Sequence, residues 1–234
     1  MMQFGPLPLD GAPRIAVPFR DGNSATSIAG AVRLGMDIAE LRIDQFADRE
    51  TRHVLAEIEK FRAVPVLATI RSAAEGGAWA DGDDARLALY RAVLPHVAAV
   101  DVELSSAPIL PQVIAEAHAL GKPVVVSFHD FARTPPRDTL DGIARDARCA
   151  GADIVKIAAM CAAPDDVRAL ASFTIEHARE GVVVIGMGAG GVATRVLFPA
   201  LGSLFTFAAY GEGTAPGQLQ LAEMAAIFKQ LHFK

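Results

Sequence analysis

At 234 residues and a net charge of −5, the chain is acidic, which argues against nucleic acid or an anionic membrane surface as its partner. Its 52% hydrophobic and 21% charged residues supply a sizeable core and exclude a disordered chain. The opening MMQFGPLPLD has no basic segment ahead of an apolar one, and no apolar run reaches about 18 residues, so a soluble cytoplasmic protein without membrane insertion is expected.

Beyond those opening residues, the apolar run RIAVPF at 14–19 reads as a first strand. Further strands are expected at 36–43, 64–70, 98–104, 123–128, 152–159, 182–187 and 204–209. Between them, segments such as 48–62, 83–97 and 163–180 repeat apolar residues at helical spacing, with Asp, Ser or Thr expected as N-caps. A last helix is expected from about Pro216 to Leu231. Strands that alternate with helices imply a parallel sheet, and eight such units in roughly 220 residues fit a closed (β/α)8 TIM barrel as a single domain over 1–234. Residues before Arg14 would cover the N-terminal end of that barrel. Cys149 and Cys161 have no metal-ligand spacing and read as two free thiols of a reducing compartment.

In such a barrel the chemistry belongs at the C-terminal ends of the strands. Those ends carry Glu40 and Arg42, Arg71, Glu103, His129 and Lys156, from five consecutive strands. Glu40 and Arg42 are two apart, so both side chains point one way, into the lumen. Lys156 interrupts an apolar strand, which reads either as an ion pair with Glu40 or Glu103 or as an amine kept neutral by burial beside Arg42 and Arg71, able to attack a carbonyl. His129 follows the neighbouring strand and reads as an ordinary loop histidine or as a general base. Glu75 either solvates its glycine-containing loop or orients that imidazole.

Two glycine-rich stretches invite other readings. Gly186 to Gly191 matches G-x-G-x-x-G, yet too little chain follows for a dinucleotide-binding domain, leaving a barrel phosphate site as the stronger competitor. Arg195 just beyond offers a fork for a carboxylate or a phosphate. In YGEGTAPGQLQ, Thr214 reads as a helix cap or, with Gln218, as part of a lid closing on an anionic ligand.

Taken together, APRIAVP, ELRID, TIRSAAEGG, DVEL, SFHDFARTPP, GADIVKIAAM, GVATR, GSLFTFAA and TAPGQL, in that order, resemble type I 3-dehydroquinate dehydratase of the shikimate pathway. The resemblance implies a (β/α)8 barrel, usually homodimeric, converting 3-dehydroquinate to 3-dehydroshikimate and water with no metal or other cofactor. It implies Lys156 as the Schiff-base residue, His129 as the proton-transfer residue and Glu75 as its acidic partner. Glu40, Arg42, Arg71, Arg195, Thr214 and Gln218 match substrate contacts. Pro18 and Thr214 stand where the family commonly has serine, and the loop MGAGGV lacks small polar and basic residues frequent there. Competing readings are another Schiff-base barrel such as a sugar-phosphate aldolase, and a catalytically silent barrel that binds a metabolite.

Overall fold

Eight of the apolar runs become parallel strands of one sheet, because each buries both of its faces. The computed structural model describes residues 2–9, 11–211 and 217–233. In chain order the barrel strands are β3 (Arg14–Phe19), β4 (Ile38–Arg42), β5 (Val66–Thr69), β6 (Ala99–Glu103), β7 (Val124–Asp130), β8 (Ile154–Met160), β9 (Val182–Met187) and β10 (Phe205–Phe207). They are hydrogen-bonded in the order β10-β3-β4-β5-β6-β7-β8-β9. A bridge between Val182 and Ser203, with the Leu204 N–H donating to the Val182 carbonyl at 2.9 Å, links the two ends of that order. The result is a nearly closed TIM barrel, as the alternation of strand and helix predicts.

Helices α1 (Ala25–Arg33), α2 (Thr51–Glu59), α3 (Asp83–Val93), α4 (Leu110–Ala119), α5 (Arg137–Ala150), α6 (Pro164–His177), α7 (Thr194–Ala200) and α8 (Leu221–Gln230) accompany the strands. The apolar face of each packs on outward strand residues such as Leu41, Ala68, Val102 and Ile157. Ser24 caps α1, accepting the Ser27 N–H at 3.1 Å, but the caps of the other described helices are not the expected Asp, Ser or Thr. In α6 and α8 the acid acts from inside the first turn instead: Asp166 accepts the Ala163 N–H at 2.8 Å, and Glu223 accepts that of Gln220 at 3.1 Å. The last helix also starts later than expected, at Leu221 after the Gln220 cap, and Pro216 lies outside the described residues.

Ahead of the barrel, β1 (Gln3–Phe4) and β2 (Leu7–Pro8) pair antiparallel. Their hairpin buries Phe4 and Leu9 against the lowest lumen layer, which includes Ala16, Ile38, Val125, Ile154 and Phe205. The Phe4 and Phe205 rings lie 5.8 Å apart. The hairpin closes the N-terminal end of the barrel with hydrocarbon, so water and ligand enter the lumen from the opposite end.

Candidate active site

Strand register converts the sequence alternation into layers. Pro18 lies level with Glu40, and Ser127 level with both Glu103 and Lys156. Beyond the apolar bottom layer the inward positions are Glu40, Thr69, Asp101, Ser127, Lys156 and Phe207, and two residues further along their own chain segments come Arg42, Arg71, Glu103 and His129. Glu40, Arg42, Arg71, Glu75, His129, Lys156, Arg195 and Gln218 all line one cavity at the C-terminal end of the barrel, walled on its apolar side by Phe131, Ile185, Met187 and Phe207. Thr214 lies outside the described residues. Every other residue matched to catalysis or substrate contact lines this cavity, whereas Glu103, expected at a strand end with them, does not.

Lys156 is 5% exposed, and its Nζ donates to Asp101 Oδ2 at 2.8 Å and to Glu40 Oε1 at 3.5 Å. It also stands over the Phe207 ring, 4.6 Å from the centroid. The atoms against Nζ are thus acidic and aromatic: the Glu40 ion pair, one of the two readings open in the sequence, is present, and the groups closest to Nζ are not the guanidinium groups of the other reading. Arg71 grips the same Asp101 from the other side, Nη2 to Oδ1 at 2.8 Å, and also holds Glu103 at 2.9 Å and Ser127 at 2.6 Å. Burial alone would raise the Asp101 carboxyl, but Arg71 and Lys156 outweigh it and hold that group far below the usual carboxylate range.

Asp101 escaped the sequence reading, although the signal was present: it stands two residues before Glu103 on one strand and therefore shares its face. Glu103 itself turns away from the cavity. It accepts Arg71, Ser106, the Ser72 N–H and, very closely, Arg86 of α3, so it ties strand to helix and does not meet Lys156. The ion pair open to Lys156 falls to Asp101 and Glu40.

His129 is the last residue but one of β7, paired in register with Ala158, and not part of the following loop. The strand persists because β8 runs alongside it to Met160. Its Nδ1 lies 2.9 Å from Glu75 Oε2, and the same oxygen accepts its backbone N–H at 3.1 Å. Ser105 donates to the other Glu75 oxygen. Glu75 therefore presents a carboxylate that holds the Nδ1–H tautomer and leaves Nε2 with its lone pair. Burial, reinforced by the Arg71 and Lys156 cations, lowers the His129 imidazole well below its ordinary value, so it is neutral at neutral pH. Burial likewise raises Glu75. Phe131 stacks near-parallel on the His129 ring, 6.2 Å between centroids, and is 46% exposed at the cavity mouth.

Arg42 forms a two-pronged pair with Asp44, at 3.0 and 2.8 Å, and Asp44 also accepts the Ala78 N–H at 3.1 Å. Arg195, at 1% exposure, donates to the Phe207 carbonyl at 3.4 Å. Burial lowers it to about 10, which leaves it cationic at neutral pH. A fixed guanidinium opposite a buried amine and a neutral imidazole suits a small anionic carbonyl compound.

The G-x-G-x-x-G stretch receives a packing explanation. A Cβ on Gly191 would stand 2.3 Å from the Gly186 carbonyl carbon, and one on Gly186 would stand 3.0 Å from Gly191 Cα. The glycines let two backbone segments cross, while the Gly186 N–H is taken by the Thr194 hydroxyl at 2.9 Å.

A family model described as Type I 3-dehydroquinase matches residues 15–234. A relative named 3-dehydroquinate dehydratase from Thermodesulfovibrio yellowstonii is 34% identical over 224 residues, 94% of this chain and 96% of its own. One of the same name from Methanosarcina acetivorans is 36% identical over 242 residues, covering 99% and 100%. The solved 3-dehydroquinate dehydratase from Aquifex aeolicus superposes with a TM-score of 0.85 at 31% identity, over 94% of this chain and 99% of that one.

Proposed function

The chain belongs to the type I 3-dehydroquinase family, and from that premise we propose how its residues divide the work of a 3-dehydroquinate dehydratase. The enzyme is a hydro-lyase that converts 3-dehydroquinate to 3-dehydroshikimate and water. A proton alpha to a ketone is too weakly acidic for an imidazole to remove quickly. Lys156 answers this by condensing with the ketone; one water leaves and an iminium forms, which can accept an electron pair. Nε2 of His129 takes the C2 proton, and the C2–H electrons move into an enamine. The enamine expels the C1 oxygen, and the imidazolium returns its proton to that oxygen, so water departs. Hydrolysis of the conjugated iminium consumes the water released at condensation and frees both product and Lys156.

Glu75 keeps the imidazole in the tautomer this requires and stabilises the imidazolium between the two proton transfers. Arg195 and Gln218 hold the substrate carboxylate and a hydroxyl, and Glu40, Arg42 and Arg71 take ring hydroxyls and neighbouring groups. Thr214 would add a hydroxyl from the segment before Gln218. One observation carries this reading: a buried lysine and an imidazole held through Nδ1 by the Glu75 carboxylate share a single lumen cavity. Sodium borohydride with 3-dehydroquinate should leave a reduced adduct on Lys156, located by peptide mass, and Lys156→Ala should form neither adduct nor enone absorbance. A wild-type enzyme that turns over without a trappable adduct would reject the scheme.

We propose further that the single-domain barrel over 1–234 acts as a cytoplasmic homodimer. An exposed Cys149 and a buried Cys161, both free thiols, suit a reducing compartment. Sedimentation equilibrium giving the monomer mass at working concentration would remove the dimer.

A further inference from the structure

Resting on the reading of Lys156 as the nucleophile, we propose that Asp101 is its positioning residue: one oxygen of this buried carboxylate anchors Nζ while Arg71 and Ser127 hold the other. Lysine has four rotatable side-chain bonds, and an amine that wanders within its cavity attacks slowly. Of its two acidic neighbours Asp101 is the nearer, 2.8 Å from Nζ against 3.5 Å for Glu40. Asp101 is also better fixed. Its Oδ1 receives Arg71 Nη2 at 2.8 Å and Ser127 Oγ at 2.6 Å, and its own carbonyl receives the Tyr90 hydroxyl of α3 at 2.7 Å. Arg71 is in turn held by Glu103, which Arg86 and Ser106 hold from outside the lumen. The anchor is therefore rigid through several shells of contact, and it is fully buried, so water does not compete for it.

The same contact acts on the proton. Nζ must shed one proton before it attacks, and an adjacent carboxylate opposes that loss. The ionisable groups around Asp101 are Arg71, two residues beyond β5, His129 from β7, Lys156 from β8 and Glu103 on its own strand, with Glu40 from β4 on the other side of Nζ. Neutralising Asp101 removes the anion closest to Nζ while leaving the side chain less firmly placed. Two effects should then separate: adduct formation becomes possible at lower pH, and turnover slows because the amine is misplaced.

The experiment follows borohydride trapping of 3-dehydroquinate against pH in wild type and Asp101→Asn, beside kcat and KM. Absence of an adduct on wild-type Lys156 would remove the reading on which this rests and is thereby distinguishable from failure of the Asp101 proposal. In a folded Asp101→Asn enzyme, the trapping midpoint should move to lower pH by roughly one to three units. Its kcat should fall about 10- to 100-fold with KM near the wild-type value. An unmoved midpoint overturns the proposal. Should the unbalanced Arg71 prevent folding, Ser127→Ala keeps both charges and removes one tether. It should lower kcat several-fold at unchanged KM, and a wild-type kcat in that variant would overturn the proposal equally.

Discussion

His129 serves as a base only while its imidazole is neutral, and the environment that secures this also leaves a mark on stability. An unfolded histidine titrates near 6.5, whereas the folded one, buried beside Arg71 and Lys156, takes its proton only at lower pH. Between those two values the unfolded chain holds the additional proton, so this group's contribution is complete above 6.5 and is lost as pH falls through the folded value. Glu75 works in the opposite sense: burial raises its carboxyl above 4.5, so its contribution fades as pH rises through that raised value. Asp101 and Glu103 are depressed, and stability owed to them disappears only on further acidification below their ordinary values of 3.8 and 4.5. Subtracting the urea-unfolding free energy of His129→Asn from that of wild type cancels the carboxylates. The difference should be flat above 6.5 and decline below it; a difference independent of pH would contradict a buried neutral imidazole. The same substitution should lower kcat by about 10²- to 10⁴-fold, the usual range for a lost general base.

At the scale of elements, the site depends on short connections that place loop residues against strand residues. The turn after β5 carries Glu75 to His129, and Gly77 is where that turn passes over its own strand end. A Cβ at Gly77 would stand 2.1 Å from the Arg71 carbonyl oxygen, a backbone atom that cannot swing aside. Gly77→Ala should therefore shift the turn, loosen Glu75 and reduce kcat/KM at least about tenfold, as misplacement by an ångström does. Gly142 in α5 is the matched control. Its Cβ would meet only the flexible end of Arg145 at 3.6 Å, so Gly142→Ala should preserve kcat/KM and stabilise the fold by roughly 0.5–1 kcal/mol. Equal loss of activity in both variants would show that the close approach at Gly77 does not matter.

For the whole molecule, the two ends of the barrel are functionally unlike. The hairpin that inserts Phe4 fills the lower end, while the charged layers occupy the other. Phe4→Ala should cost about 3–5 kcal/mol of stability, the usual cost of emptying a fully buried aromatic site. Because the two ends are separate, kcat/KM at a temperature where the variant is folded should stay within about twofold of wild type. A large loss of activity in that folded variant would mean the ends are coupled.

Much of this was legible in the chain alone, because strand alternation and short connections are local properties. Runs such as RIAVPF and VVVIGM, buried on both faces, fall at β3 and β9 with the boundaries their apolar residues mark. Period-two placement sends Glu40 and Arg42 into one lumen, and a lysine inside an apolar strand signals chemistry before any fold is known. Tertiary structure decided which charges meet. Lys156 found Asp101, which the sequence reading passed over for Glu40 or Glu103, since height within the barrel depends on the stagger between β6 and β8, two strands that share no hydrogen bond. Glu103 went instead to Arg86, a helix residue whose reach across the barrel wall no spacing along the chain records. Sequence order sets the direction of each side chain, whereas the partner it meets depends on register summed around a closed ring.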